Sequence, residues 1–200
     1  MAGDLYRIVI ADDEVLACMD LKEMLEEDGH EVAGMASDGV EALELVKALK
    51  PDLAILDVKM PRLDGLQAAR MIAHDDLAPV VLLTAFGDED IIDKAKRSGV
   101  FGYVMKPADE RALFPAMQIA VSQFRAKMNL THHIKTLEQQ IAAKKIVDRA
   151  KGLLQDHYGI SESEAYRKMQ QTSMKRGISL SEVAQKVIKE ILSRKNKESK

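Results

Sequence analysis

The sequence predicts an α/β fold for its first part, a doubly wound parallel sheet of five strands, and an all-α fold for the remainder. Short apolar runs alternate with amphipathic stretches through about residue 123, which is the pattern of βα units in series. A long stretch of helical periodicity follows, and two later segments begin with serine and glutamate at capping-box spacing.

The five strand candidates are nearly continuous in apolar character, as expected for strands that helices cover on both faces. They are Tyr6–Ala11, Glu31–Ala36, Leu53–Leu56, Val80–Thr84 and Gly102–Met105. The helix candidates are Val15–Glu27, Gly39–Leu49, Leu63–Ala73, Glu89–Ser98 and Glu110–Phe124. Near-helical spacing predicts an apolar face on the first of these helices. That face consists of Leu16, Met19, Leu21, Met24 and Leu25.

The stretch from about residue 112 to residue 158 is typical of a helical connector with a short coiled coil. Apolar residues recur there every three or four positions, in two seams separated by a phase shift. The predicted dimer contacts are Phe124, Met128, Leu130, Ile134, Leu137 and Ile141. Each seam is short, so a helix packed on its own domain is the alternative.

Three helical patterns complete the chain. The first ends at Tyr158 and Gly159, and capping boxes at Ser161–Glu164 and Ser179–Glu182 begin the other two. We therefore predict a first domain over residues 1–123 and a coiled-coil linker helix over 124–140. A three-helix domain over 141–195 and a polar tail over 196–200 complete the division.

Composition narrows the class of protein. A hydrophobic content of 46% argues against wholesale disorder. No apolar run approaches the roughly 20 residues that span a bilayer, and the N-terminus lacks a signal-peptide pattern. The single cysteine, Cys18, is predicted to be a small buried or half-buried residue rather than a catalytic thiol. We expect a soluble, cytoplasmic protein without membrane association.

Charge is distributed unevenly along the chain. Residues 1–123 carry 12 Lys and Arg against 24 Asp and Glu, a net charge of −12, whereas residues 124–200 carry 17 against 8, a net charge of +9. This asymmetry suggests domains with different partners. The basic part could meet nucleic acid, or it could be a lysine-rich solvated surface.

Polar residues end or follow four of the predicted strands. Asp12 and Asp13 follow the first, Asp57 the third and Lys106 the fifth, and Thr84 ends the fourth. The carboxyl ends of parallel strands meet at one crevice, where three carboxylates repel one another unless a hard cation such as Mg²⁺ is present. Asp57 could then attack phosphorus as a carboxylate nucleophile. Lys106 and Thr84 are suited to hold the phosphoryl oxygens.

Taken in order, these residues resemble those of a two-component receiver domain. The marks are Asp12 to Glu14, Asp57 to Pro61, Asp64 with Gly65, Thr84 with Ala85, and Lys106 with Pro107. The resemblance covers residues 5–123. It implies a flavodoxin-like fold, phosphorylation of Asp57 by a sensor histidine kinase, and Mg²⁺ held by Asp12, Asp13 and Asp57. It also implies a switch centred on Thr84, in which Tyr103 moves between outward and inward positions. A plain strand aromatic is the other interpretation of Tyr103.

Residues 141–192 resemble ANTAR domains, which are RNA-binding antiterminator modules. The matching stretches are Arg149 to Leu154, Tyr158 to Ser161, Glu164 to Tyr166 and Leu180 to Ala184, while Gln155 stands where a methionine is often seen. The resemblance implies binding to paired stem-loops in a leader transcript, which prevents a terminator hairpin from forming. Homodimerisation, at least in the phosphorylated state, is a hypothesis drawn from the apolar seams of the linker, and it would bring two of these domains together on the RNA. The RNA-binding candidates are Lys144, Lys145, Arg149, Lys151, Tyr166, Lys175 and Arg176. The cations would contact phosphates, and Tyr166 could stack on a base or lie in the core.

Two other outputs remain open. A helix-turn-helix DNA-binding factor would use the turn at Gly177, but Gln185, Lys186 and Lys189 are a thin set of base-reading side chains for the following helix. A protein-interaction adaptor is the second alternative. An enzymatic output is not expected, because the last 77 residues contain no nucleophile–base constellation.

Overall fold

The computed structural model describes residues 4–85 and 100–198, with side chains through residue 193. The chain divides into two compact units, Met1–Asn129 and Leu130–Lys200. The predicted helix Glu89–Ser98 lies outside the described residues. Within the described residues, no helix has both the length and the apolar character needed to cross a membrane.

The first unit is built on a parallel sheet of five strands. These are β1 (Arg7–Ala11), β2 (Glu31–Ala36), β3 (Leu53–Asp57), β4 (Val80–Thr84) and β5 (Gly102–Met105), and their spatial order is β2-β1-β3-β4-β5. The helices are α1 (Val15–Glu27), α2 (Gly39–Leu49), α3 (Gly65–His74) and α4 (Glu110–Tyr158). The predicted doubly wound sheet is confirmed. Its strand order turns outward in both directions from β1 and β3, so the crevice for a ligand lies where these two strands end.

Strand residues alternate between two apolar clusters, one on each face of the sheet. Val9 and Leu56 belong to the cluster that includes residues of α2 and α3. Ile10 and Ile55 belong to the cluster that includes residues of α1 and α4. Both faces are therefore covered, which explains the nearly continuous apolar character of the strands.

The apolar face predicted for α1 is only partly correct. Leu21 and Leu25 are buried, and Cys18, one turn before Leu21, is buried as predicted. Leu16 and Met19, in contrast, are 75% and 56% exposed. The apolar residues of α1 do follow the helical period, but the sheet covers only the part of this face that carries Cys18, Leu21 and Leu25.

The second unit is all-α, as predicted. The C-terminal turns of α4 are followed by α5 (Glu162–Arg176) and α6 (Leu180–Glu198). Both predicted capping boxes are present: Ser161 and Glu164 cap α5, and the Ser179 amide donates to Glu182 Oε2 at 2.8 Å at the start of α6. The buried residues of this unit include Ala150, Met169, Val183 and Ala184.

Candidate functional site

Three carboxylates lie at the crevice predicted from the sheet topology. Asp12 follows β1, and Asp57 is the last residue of β3. Each of Asp12, Asp13 and Asp57 offers a carboxylate oxygen, and these oxygens all lie within 4.8 Å of one another. Asp12 and Asp57 are buried, whereas Asp13 is exposed. Two of the carboxylates have thus lost most of their hydration, and an ion that compensates for this is favoured there.

Lys106 bridges the two buried carboxylates. Its Nζ lies 2.6 Å from Asp12 Oδ2 and 2.7 Å from Asp57 Oδ1. Burial alone would lower the pKa of Lys106, but its hydrogen bonds to Asp12 and Asp57 outweigh burial and raise the pKa above its ordinary value. Burial also raises the pKa of Asp57, and Lys106 acts against that rise. One ammonium therefore serves two carboxylates and leaves the cluster net negative.

The donor set fits a hard divalent cation. Three carboxylate groups with oxygens within 4.8 Å of one another, two of the groups buried, are the kind of ligand that Mg²⁺ prefers. Lys106 satisfies only one oxygen of each buried carboxylate. The Asp12 Oδ1 and Asp57 Oδ2 atoms accept hydrogen bonds from the amides of Glu14 and Lys59 at 3.0 and 2.9 Å. These bonds fix the orientation of both carboxylates.

Thr84 and Tyr103 occupy different surroundings. Thr84 ends β4 and is buried, and its carbonyl accepts a hydrogen bond from the Lys106 amide at 2.8 Å. This bond ties the backbone at Thr84 to that of Lys106. Tyr103 lies on β5, and 43% of its surface is exposed.

The loop from β3 to α3 passes very close to the Asp57 backbone. The Gly65 amide donates to the Val58 carbonyl at 2.9 Å, and a Cβ added at Gly65 would lie 1.8 Å from the Asp57 carbonyl oxygen. Only glycine fits such an approach. The Asp64–Gly65 pair was noted in the sequence, but its closeness to the backbone of Asp57 was not predicted.

A second constraint on this loop was not predicted. Arg62 has a positive φ of 60°. Its Nε donates to Asp38 Oδ2 at 2.7 Å, and its Nη2 contacts the same oxygen. Asp38 caps α2 by accepting from the Val40 and Glu41 amides. Burial raises the pKa of Asp38, but the two amides and Arg62 outweigh burial and hold it below its ordinary value. An Asp–Gly pair before a helix is a readable cap signal, but no local pattern indicates a partner 24 residues away.

The RNA-binding candidates fall into two groups. Lys144, Lys145 and Arg149 on α4, and Lys175 and Arg176 at the end of α5, are exposed. Lys151 is different, because its Nζ lies 2.7 Å from Asp148 Oδ1 and 2.6 Å from Glu162 Oε1. These partners, Asp148 first, raise the pKa of Lys151 to about 12. Lys151 is thus neutralised within its own unit.

Tyr166 and the seam residues also differ in exposure. Tyr166 is 42% exposed, which leaves part of its ring accessible. Four seam residues on α4 are between 49% and 63% exposed: Leu130, Ile134, Leu137 and Ile141. Phe124 instead packs edge-to-face against Phe101 of its own unit, with ring centroids 5.7 Å apart, and Met128 is partly buried.

Comparisons with known proteins identify a family for each of the two parts of the chain. Residues 8–118 match the response regulator receiver domain family, and residues 135–188 match the ANTAR domain family. The transcriptional regulatory protein PdtaR of Mycobacterium tuberculosis is 45% identical over 182 residues, covering 91% of this chain and 89% of that protein.

Other similarities concern the receiver alone. Chemotaxis protein CheY of Treponema pallidum is 36% identical over 112 residues, covering 54% of this chain and 78% of its own. The crystal structure of a response regulator receiver domain protein from Clostridium thermocellum aligns with a TM-score of 0.56 and 32% identity, covering 61% of this chain and 98% of that one. The chain therefore belongs to the two-component response regulators, and it joins a receiver domain to an ANTAR output domain.

Proposed function

We propose that the protein accepts a phosphoryl group on Asp57 and, in that state, binds RNA through its ANTAR domain to prevent transcription termination. One observation carries the first half of this proposal. Asp12, Asp13 and Asp57 converge within 4.8 Å while Lys106 contacts two of them. The fused ANTAR domain supports the second half.

The phosphoryl donor is the phosphohistidine of a sensor histidine kinase. A carboxylate oxygen of Asp57 attacks phosphorus, the new P–O bond forms as the P–N bond breaks, and the departing histidine keeps the electron pair. Asp12, Asp13 and Asp57 would hold Mg²⁺, which when bound offsets the negative charge of the incoming group. Lys106 and the Thr84 hydroxyl then bind the phosphoryl oxygens.

The receiver domain has an exposed apolar surface beside this crevice that is suitable for binding the kinase. Val15, Leu16 and Met19 lie just after Asp12 and Asp13 in sequence, at the start of α1, and all three are more than half exposed. A donor must cover the mouth of the crevice to bring its phosphohistidine to Asp57. Exposed apolar side chains next to that mouth are therefore explained by a contact with the kinase.

Phosphorylation is coupled to output through charge and through the connector helix. A phosphoryl group adds up to two negative charges within reach of Lys106 and Thr84, which biases the neighbouring loop and draws Tyr103 inward. The exposed residues Leu130, Ile134, Leu137 and Ile141 then pair with a second copy. Pairing brings two ANTAR domains to paired stem-loops in one leader transcript.

The proposal is tested by comparing RNA with DNA. Untreated and acetyl-phosphate-treated protein is titrated, with Mg²⁺, into a leader RNA containing two hairpins and into duplex DNA, with Asp57→Asn as the control. We expect treatment to tighten RNA binding and the variant to lose both this gain and the acid-labile phosphate. A preference for duplex DNA would favour the DNA-binding alternative. No nucleic-acid binding at moderate salt would favour the adaptor.

The pairing step has a separate measurement. Light scattering of the treated protein with RNA should give the mass of a dimer, and Leu137→Lys should return it to a monomer, because a charge on this face opposes burial. Leu137 is 57% exposed, so folding of the monomer is not expected to suffer. A monomeric mass for the phosphorylated wild-type protein with RNA would refute pairing.

A further inference from the structure

The ANTAR unit contains a groove between α4 and α6 that its sequence motifs do not indicate. The groove has a volume of about 390 Å³. Its lining residues are Lys145, Ile146 and Arg149 from α4, and Gln185, Ile188 and Lys189 from α6. In each helix the polar residues are four positions apart, so they lie on one face, one turn above the other. Two polar rows therefore face each other across two isoleucines.

The three cations of this groove are exposed. Among the side chains described through residue 193, Lys145, Arg149 and Lys189 form no ion pair. Nearby Lys151, in contrast, contacts both Asp148 and Glu162. Three exposed positive charges so close together repel one another, and an anionic partner relieves that repulsion.

The balance of charge and apolar surface identifies the partner. Ile146 and Ile188 also pack against the core of their own unit and are only partly exposed. The apolar surface that these two isoleucines expose in the groove is thus too small to bind the apolar face of an amphipathic peptide helix. A narrow apolar strip between rows of cations suits a polyanion that carries flat bases. Gln185 adds an amide that can donate and accept hydrogen bonds at a base edge.

We propose that this groove binds the backbone and one base of an unpaired RNA loop. Lys145, Arg149 and Lys189 contact phosphates, and Gln185 contacts the base edge. The inference rests on the RNA-binding function proposed above and deepens it by naming the site. Lys145 and Arg149 were among the candidates from sequence, whereas Gln185 and Lys189 were not.

The test uses the full-length phosphorylated protein and the two-hairpin leader RNA over a range of salt concentrations. We expect Lys145→Gln, Arg149→Gln and Lys189→Gln each to weaken binding about tenfold. Each should also make the negative slope of log affinity against log salt concentration less steep by about 0.7, the value for one lost single-strand phosphate contact. Gln185→Ala should weaken binding to the native loop with an unchanged salt slope, and lose that effect when the loop sequence is scrambled.

A matched control lies next to the groove. Lys186 is exposed, adjacent in sequence to Gln185, and does not line the groove. Lys186→Gln removes the same charge, and we expect less than a twofold effect from it. Because Lys145 and Lys189 lie on different helices and are exposed, parallel losses in both, with unchanged circular dichroism, cannot come from misfolding of one helix.

The outcomes separate the inference from the function on which it rests. Undiminished RNA binding by the groove variants, with losses in Tyr166→Ala or Lys175→Gln instead, would overturn the groove and leave RNA binding intact. An equal loss in the control variant Lys186→Gln would overturn it too, because the effect would then be one of general charge. Tighter binding of duplex DNA or an acidic peptide by the groove would overturn the RNA assignment. No RNA binding by the wild-type protein would overturn the proposed function itself.

Discussion

The receiver crevice and the ANTAR groove both concentrate charge, but the crevice contains charges of both signs whereas the charged residues that line the groove are all cations. In the crevice, Lys106 contacts Asp12 and Asp57 at 2.6 and 2.7 Å, and backbone amides hold both carboxylates. In the groove, Lys145, Arg149 and Lys189 are exposed, and within the described side chains they have no ion-pair partner. The crevice is organised before any ligand arrives, whereas the groove relies on its ligand for charge balance.

This difference matches the sizes of the two ligands. A phosphoryl group and a metal ion are small, so their site has to be formed by closely fixed groups. An RNA backbone spans many phosphates, and exposed cations on helices can follow it with little cost in desolvation. The same contrast appears in the glycines. Gly65 is enclosed by the Asp57 backbone, while nothing lies within 4 Å of a Cβ added at Gly152.

The largest effect is expected from Gly65→Ala. The new Cβ would lie 1.8 Å from the Asp57 carbonyl oxygen, and a backbone atom cannot move aside cheaply. We expect a loss of about 3 kcal/mol in the free energy of unfolding, measured in urea, together with slower phosphorylation because Asp57 itself is displaced. A stability within 0.5 kcal/mol of wild type would show that the loop is not closely fixed, on the scale typical of neutral surface changes.

Lys106→Met tests the internal charge pairing of the crevice. Removal of the ammonium leaves two buried carboxylates without their shared partner, so in EDTA we expect a loss of about 2 kcal/mol. Mg²⁺ should bind the variant about tenfold more tightly, because a neighbouring positive charge no longer opposes it. Calorimetric titration measures this affinity. Weaker Mg²⁺ binding by the variant would mean that Lys106 orients the carboxylates more than it competes with the ion.

Arg62→Gln tests the contact between the β3–α3 loop and α2. The Arg62 side chain is well exposed, so we expect a smaller loss of stability than for Lys106→Met. The loss should depend on pH in a defined direction. Because Arg62 helps hold the folded-state pKa of Asp38 low, its contribution is present above the ordinary aspartate pKa of about 3.9. It disappears as pH falls through the folded-state value.

The measurement is the difference in unfolding free energy between wild type and Arg62→Gln from pH 7 down to pH 3. Asp64→Asn is a useful comparison, since Asp64 caps α3 by accepting a bond from the Gln67 amide. It changes a neighbouring carboxyl without touching the Arg62 contact. If the stability loss caused by Arg62→Gln grew as the pH fell, the contribution of Arg62 to the low pKa of Asp38 would be contradicted.

The smallest effect is expected from Gly152→Ala. The added methyl group enters open space, and alanine is favoured over glycine in a helix by about 1 kcal/mol, so the ANTAR unit should become slightly more stable. RNA titration of the same variant extends the comparison. Weaker RNA binding despite greater stability would indicate that RNA approaches the helix at Gly152, while unchanged binding would place the RNA elsewhere.

Much of the fold was predictable because its signals are local. Apolar strands such as Leu53–Asp57 and the capping boxes at Ser161 and Ser179 are visible in short windows of sequence. The crevice followed as well, because the carboxyl ends of parallel strands must meet. Convergence of Asp12, Asp13 and Asp57 is therefore a topological consequence of the strand order.

The sequence by itself determined the order of elements, the parallel sheet and the residues of the crevice. Tertiary structure decided which of the candidate side chains are available. It exposes Leu16 and Met19, joins Arg62 to Asp38, and neutralises Lys151 with Asp148 and Glu162. It also aligns Lys189 with Lys145 across a groove. Periodicity defines the faces of a helix, but the neighbour that covers a face, or pairs with a charge on it, depends on chain segments distant in sequence.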